Sequence, residues 1–186
     1  MIKKLKFESV NIGSSNYNRV KKLYYEAFPK HERFPLWFLL LRSRKKGIDF
    51  FAIFDKNIFI GFCYLVTKKD LTYVLYLAID KAKRGEGYGS HSLNAIRSFK
   101  EKNRIFLDIE SPMKSSDNYK QRLKRKKFYF KNGYELAEFK IIEMGETFEI
   151  LSYGVKKVKK AEYFNILKSF FSPFFTPFLK YFVKFV

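Results

Sequence analysis

The sequence predicts a mixed α/β domain: a central mixed sheet of about seven strands with helices on both faces. Three observations predict it. Apolar runs of strand character, Leu71 to Ile79 foremost, alternate with segments whose apolar residues recur at helical spacing. Glycine or proline marks several of the boundaries between these segments, at Pro29, Pro35, Gly47 and Gly133. Finally, a strand, a glycine-rich loop and a helix follow one another from Leu71 to Lys102, which supplies a strand–helix–strand crossover beside the hairpins.

Lys4 to Val10 reads as the first strand, and Asn16 to Phe28 as a helix carrying Val20, Leu23, Tyr24 and Ala27 on one face. Pro29 stops that helix; Pro35 opens a second, Leu36 to Arg44, which Gly47 closes. Asp49 to Phe54 and Ile58 to Thr67 read as a hairpin across Asp55-Lys56-Asn57, and Leu71 to Ile79 extends the meander. Beyond the glycine loop, Ser90 to Lys102 is amphipathic, with Leu93, Ile96 and Phe99 at helical spacing. Ile105 to Glu110 is strand-like, Tyr119 to Asn132 is helical up to Gly133, and Glu135 to Glu143 and Thr147 to Lys156 are the last strands. The order is β-α-α-β-β-β-α-β-α-β-β.

The chain of 186 residues is long enough for one domain with a real core and an appendage. A single cysteine, Cys63, excludes an internal disulfide and a cysteine-rich metal site, and in its strand pattern it reads as a buried, inert thiol. The two histidines, His31 and His91, are too far apart in sequence for a histidine metal cluster, so no metal is expected. The start, Met-Ile-Lys-Lys-Leu-Lys, has no apolar run behind it, so a reducing cytoplasmic location is the expectation. The net charge of +20 fits a phosphate-bearing or otherwise anionic partner, and equally a lysine-rich, aromatic-rich composition with no binding role.

The segment Arg84-Gly85-Glu86-Gly87-Tyr88-Gly89-Ser90 carries the functional signal. Glycines between a strand and a helix let backbone amides approach a ligand, with the positive helix end behind them. The dinucleotide fingerprint needs a third glycine where Ser90 stands, and no Gly-Lys-Ser/Thr tripeptide completes a Walker loop. What remains is Arg-x-x-Gly-x-Gly at Arg84, Gly87 and Gly89.

This pattern resembles the pyrophosphate loop of the GNAT acetyltransferases, which bind acetyl-coenzyme A there. The strand leading in, Tyr73 to Asp80, looks like that family's central strand, and Phe128-Tyr129-Phe130-Lys131-Asn132-Gly133-Tyr134 is similar to its Phe-Tyr-x-x-x-Gly-Phe helix end. The resemblance spans Leu71 to Tyr134. It implies a GNAT-like fold and an N-acetyltransferase that passes an acetyl group directly to a primary amine of a small molecule or peptide. It also implies that backbone amides of residues 84–90 hold the diphosphate. An amide among Leu77, Ala78 and Ile79 would meet the oxyanion, and Tyr129 would protonate the leaving thiolate. The acceptor pocket would draw on Glu26, Glu32 and Arg33, with His31 read as a base or as plain surface.

The sequence departs from the family pattern at two places. Several members carry a catalytic glutamate on the central strand; Tyr73 to Ile79 has none, and Glu110, at the end of the next strand, reads either as the substitute base or as a solvated strand-end acid. Many relatives carry Asn and Ala where Arg122 and Arg125 stand, inside a stretch, Lys120 to Lys131, with seven basic residues and no acid. That stretch reads either as contacts to an anion or as a solvated face with Leu123 and Phe130 turned inward.

Residues 1–160 therefore read as the acetyltransferase domain and 161–186 as an aromatic tail. From Tyr163 to Val186 there are ten aromatic residues, interrupted by Pro173, Pro177, Lys168, Lys180 and Lys184. A spanning helix needs about 20 mainly apolar residues in a row, so no transmembrane span is expected. Packing on the domain, a homodimer contact and a membrane-surface segment remain open for the tail. Two other functions compete: a non-catalytic acetyl-coenzyme A sensor, left open by the missing glutamate, and a basic nucleic-acid-binding protein, which no stacking, zinc or helix-turn-helix motif supports.

Overall fold

A computed structural model describes residues 4–171 and 183–186. Its elements are β1 (Leu5–Ser9), α1 (Tyr17–Ala27), α2 (Leu36–Arg42), β2 (Ile48–Asp55), β3 (Ile58–Lys68), β4 (Leu71–Ile79), α3 (Tyr88–Phe99), β5 (Arg104–Glu110), α4 (Tyr119–Lys131), β6 (Glu135–Glu143), β7 (Glu146–Tyr153), α5 (Lys160–Phe170) and β8 (Val183–Phe185). The strands form one mixed sheet in the order β1-β2-β3-β4-β5-β7-β6-β8. The expected order of elements holds to β7. Beyond it the structure adds α5 and an eighth strand: Val183–Phe185 pairs with Ile141–Glu143, and three residues are too few to show a period in sequence. Pro173, Pro177 and Lys180, on which the expected interruption of the tail rests, lie outside the described residues. No helix among the described residues is long and apolar enough to cross a membrane.

The chain divides into two compact units, residues up to Thr67 with Val74–Glu101, and Lys68–Tyr73 with the residues from Lys102 on. In the first unit β2 has two working faces. Phe51 stacks on Phe7 and meets Phe99 edge-on, Asp49 pairs with Lys100 at 2.8 Å, and the Tyr88 hydroxyl donates to Asp55 at 2.9 Å, so α3 lies along this face from its first residue to its end. The opposite face carries Phe50, which packs on Phe62 and Tyr64, and there α1 and α2 sit. Three phenols fasten that layer to backbone: Tyr24 to the Phe34 carbonyl, Tyr64 to that of Leu39 and Tyr76 to that of Glu32, at 2.7–2.9 Å. Buried hydroxyls need such acceptors; Tyr24 and Tyr76 also fix the irregular segment between α1 and α2, and Tyr64 ties down α2 itself. Cys63 is fully buried and burial pushes its thiol up, which fits an inert thiol.

In the second unit β5 is central. It pairs in parallel with Leu71, Thr72 and Tyr73 of β4 and antiparallel with β7 along its length. Phe106, Asp108 and Glu110 alternate onto one face. Helix α5 covers this face through Tyr163, which contacts Phe106, and α4 covers it through Arg122 and Arg125, which reach Glu110. Residues Tyr163, Ile166, Leu167 and Phe170 of α5 are buried, which is the apolar stripe of a docked helix.

Candidate active site

The turn from β4 to α3 is built by backbone chemistry. Asp80 accepts from the Ala82 amide at 2.9 Å and caps a short 3-10 turn, Lys81–Lys83. Gly87 is then the N-cap of α3, in the left-handed region at φ +82°. A Cβ there would meet nothing nearer than the His91 ring at 3.7 Å, so conformation rather than space reserves the position for glycine. The first helical bond runs from the His91 amide to the Gly87 carbonyl at 3.1 Å, and no side chain caps the helix. The first-turn amides of Tyr88, Gly89 and Ser90 have no carbonyl within the helix to bond, and they sit at the positive end of its dipole. The helix begins two residues earlier than its periodicity suggested. Tyr88 is therefore an anchoring side chain, buried against β2, while Gly85, Glu86 and Gly87 are exposed. Arg84 turns back on the strand, its Nε donating to the Ile79 carbonyl at 3.1 Å.

The structure narrows the three backbone positions on β4. Along an extended strand, the N–H and C=O groups of successive residues point to opposite edges. The Asp80 amide donates to the Ile60 carbonyl at 2.8 Å, and a Cβ on Gly61 would overlap the Ala78 carbonyl oxygen, so Ala78 and Asp80 face β3. Leu77 and Ile79 turn their amides to the other edge. Gly61 is thus required by close backbone approach.

Glu26 is exposed on α1, 3.9 Å from Lys22. Glu32 and Arg33 lie in the segment held by the Tyr24 and Tyr76 hydroxyls; Arg33 sits over the Tyr25 ring at 4.8 Å, and His31 lies 3.6 Å from Glu32. The Arg33 guanidinium also donates to the Tyr25 carbonyl at 3.4 Å.

In the second unit, Tyr129 on α4 is half-buried, edge-on to Phe128 and Tyr134. Burial pushes its phenol up to about 12, opposed by the Arg125 guanidinium. Glu110, the expected base, has both oxygens engaged: Oε1 with Arg122 at 2.7 Å and Oε2 with Arg125 at 3.1 Å. Protonating it would break an ion pair. Arg122 also meets Glu146 at 3.0 Å, the Ser111 carbonyl and Asn118. The two arginines that depart from the family pattern are therefore partners of carboxylates, Arg122 buried and Arg125 partly exposed. Lys120, Lys124, Lys127 and Lys131 are exposed, as the expected solvated basic face has them, but Phe130 is exposed too and Arg122 is buried, because a guanidinium with this many partners is cheaper to bury than an unpartnered one.

Sequence reasoning missed Asp108. Its Oδ2 accepts from the Tyr73 hydroxyl at 2.8 Å and the Tyr163 hydroxyl at 3.1 Å. A lone acid inside the apolar run Ile105 to Ile109 was a readable signal; its partners, distant in sequence, were not. Among the described residues, no group of three or more His, Cys, Asp or Glu is placed to hold a metal.

A family model for the acetyltransferase (GNAT) domain matches residues 46–136. No curated protein matches the chain. Among solved structures, a protein described as a GNAT-family acetyltransferase from Bacteroides thetaiotaomicron superposes with a TM-score of 0.73 at 24% identity, covering 88% of this chain and 94% of its own. An aminoglycoside 6'-N-acetyltransferase complexed with coenzyme A gives 0.60 at 11% identity, over 83% and 99%. A Bacillus subtilis acetyltransferase in complex with coenzyme A gives 0.54 at 16%, over 82% and 100%. At these identities the likeness shows the fold, and it agrees with the family model on which fold that is.

Proposed function

The chain carries an acetyltransferase domain of the GNAT family over residues 46–136, and from that premise we propose an N-acetyltransferase that uses acetyl-coenzyme A and transfers directly to a primary amine of a small molecule or peptide. The observation that carries this reading is the start of α3. Gly87 at φ +82° leads into an uncapped first turn inside the family-matched segment, an arrangement suited to a diphosphate. The coenzyme A complexes of two structural relatives support the choice of ligand.

The amides of Tyr88, Gly89 and Ser90 bind the diphosphate, with Gly85, Glu86 and Gly87 giving backbone access and Arg84 holding the loop to the end of β4. The amide of Leu77 or Ile79 meets the developing oxyanion; Ala78, turned to β3, sets the strand that presents it. Tyr129 donates to the leaving thiolate. A phenol raised to about 12 is a weaker acid than a thiol of pKa about 8.5, so it stabilises the thiolate by a hydrogen bond and passes the proton late. Glu32 and Arg33, on the ordered segment before α2, and Glu26 beside it on α1, contact the acceptor. The reading is tested by following thiol release from acetyl-coenzyme A across a panel of primary amines. Amine-dependent release supports it, and binding without release across the panel overturns the transferase assignment in favour of a sensor.

A further inference from the structure

Asp108 and Glu110 share one face of β5, yet they are treated differently. Glu110 is clamped by two guanidiniums. Among the described residues Asp108 has no ion pair: its bonds are two phenols and its own backbone amide. In a chain of net charge +20 a carboxylate kept apart from cations is notable. Both phenols fall on Oδ2, and no side chain among the described residues bonds Oδ1. The phenols themselves are buried, whereas Asp108 is only half-buried, as is Tyr129. A carboxylate held in place by two buried phenols, with no guanidinium across it among the described residues, is arranged to take up a proton.

We propose that Asp108 is the proton acceptor for the attacking amine and that Tyr73 and Tyr163 are its positioning residues, so that α5, outside the family-matched segment, completes the catalytic apparatus. This rests on the acetyltransferase reading above. As the amine nitrogen bonds the acetyl carbon, its proton passes to Asp108. The carbon–sulfur bond breaks with its electron pair on sulfur, and the thiolate takes a proton by way of Tyr129. Tyr129 is replenished from solvent, to which Asp108 returns its own proton.

The groups facing Asp108 are Tyr73 from β4, Tyr163 from α5 and Tyr129 from α4; Glu143, on β6, acts on both positioning phenols. Burial raises the Asp108 carboxyl above its ordinary value while the two phenols oppose that rise. Burial likewise holds Tyr73 and Tyr163 well above the ordinary phenol, so at neutral pH they remain donors.

The test compares full-length wild type, Asp108→Asn, Tyr163→Phe and Tyr73→Phe, each checked for a native melting transition. Asp108→Asn is expected to lose about 10²-fold or more in kcat with unchanged acetyl-coenzyme A affinity. The phenylalanine variants keep the ring packing but remove a donor to the carboxylate. The acid limb of their kcat/KM profile should therefore move to higher pH, a readout that a structural role would leave in place. Wild-type turnover in Asp108→Asn, or an unmoved acid limb in both phenylalanine variants, overturns the assignment and leaves the proposed function standing. A wild type that neither binds acetyl-coenzyme A nor acetylates any amine overturns both.

Discussion

Arg122 Nη2 lies 2.7 Å from Glu110 Oε1, with the two side chains only 6% and 7% exposed. Such a pair contributes little net stability as a whole, because desolvation offsets attraction, but removing one partner strands a buried charge. Glu110→Ala should therefore cost about 3 kcal/mol in urea unfolding while the folded fraction keeps its affinity for acetyl-coenzyme A. A variant that is as stable as wild type but catalytically dead would return Glu110 to the role of base.

Ser90 is the third residue of α3. A glutamate there favours the helix dipole by about 0.3–1 kcal/mol, so Ser90→Glu should keep or raise the melting temperature. The same charge beside a bound diphosphate costs on the order of 1–2 kcal/mol, a loss of about tenfold in acetyl-coenzyme A affinity by calorimetry. Opposite signs for stability and binding separate a phosphate site from a simple strand–helix turn. Equal affinity in the two proteins would place the diphosphate elsewhere.

Tyr129→Phe keeps the edge contacts with Phe128 and Tyr134 and deletes only the hydroxyl. Turnover should fall roughly 10²-fold with little change in acetyl-coenzyme A affinity, measured by thiol release and calorimetry. An equal loss in both would make the phenol a binding group.

Acid should weaken the anchoring of α5. Arg104 bonds Glu162 at 2.7 Å, and this holds the Glu162 carboxyl down at about 2 against 4.5 when unperturbed. A depressed carboxyl contributes stability that is present above its unfolded value and lost as pH falls through its folded value. Wild type should thus lose more stability than Glu162→Gln between pH 4.5 and about 2, read from urea midpoints at several pH values. Parallel curves would mean that the pair is screened out by solvent.

The sequence made the local features readable. Leu71–Ile79 was bounded to the residue, and the left-handed position at Gly87 follows from a glycine between strand and helix. Features that depend on long-range pairing were hidden. Asp108 meets Tyr163 from 55 residues away, and Arg122 seemed a surface residue until Glu110, Glu146 and Asn118 were placed around it. Charge on α4 reads as exposure only while its partners are unknown. The strand Val183–Phe185 is specified by the free edge of β6 rather than by any period of its own.

Calorimetric titration of the purified wild-type chain with acetyl-coenzyme A, at low and at high salt, tests the central claim most directly. Saturable one-site binding largely preserved at high salt is the predicted result, because backbone amides at a helix start hold the diphosphate by geometry as well as charge. No binding, or binding that disappears with salt, would contradict the account and leave the glycine turn a structural feature of a basic protein.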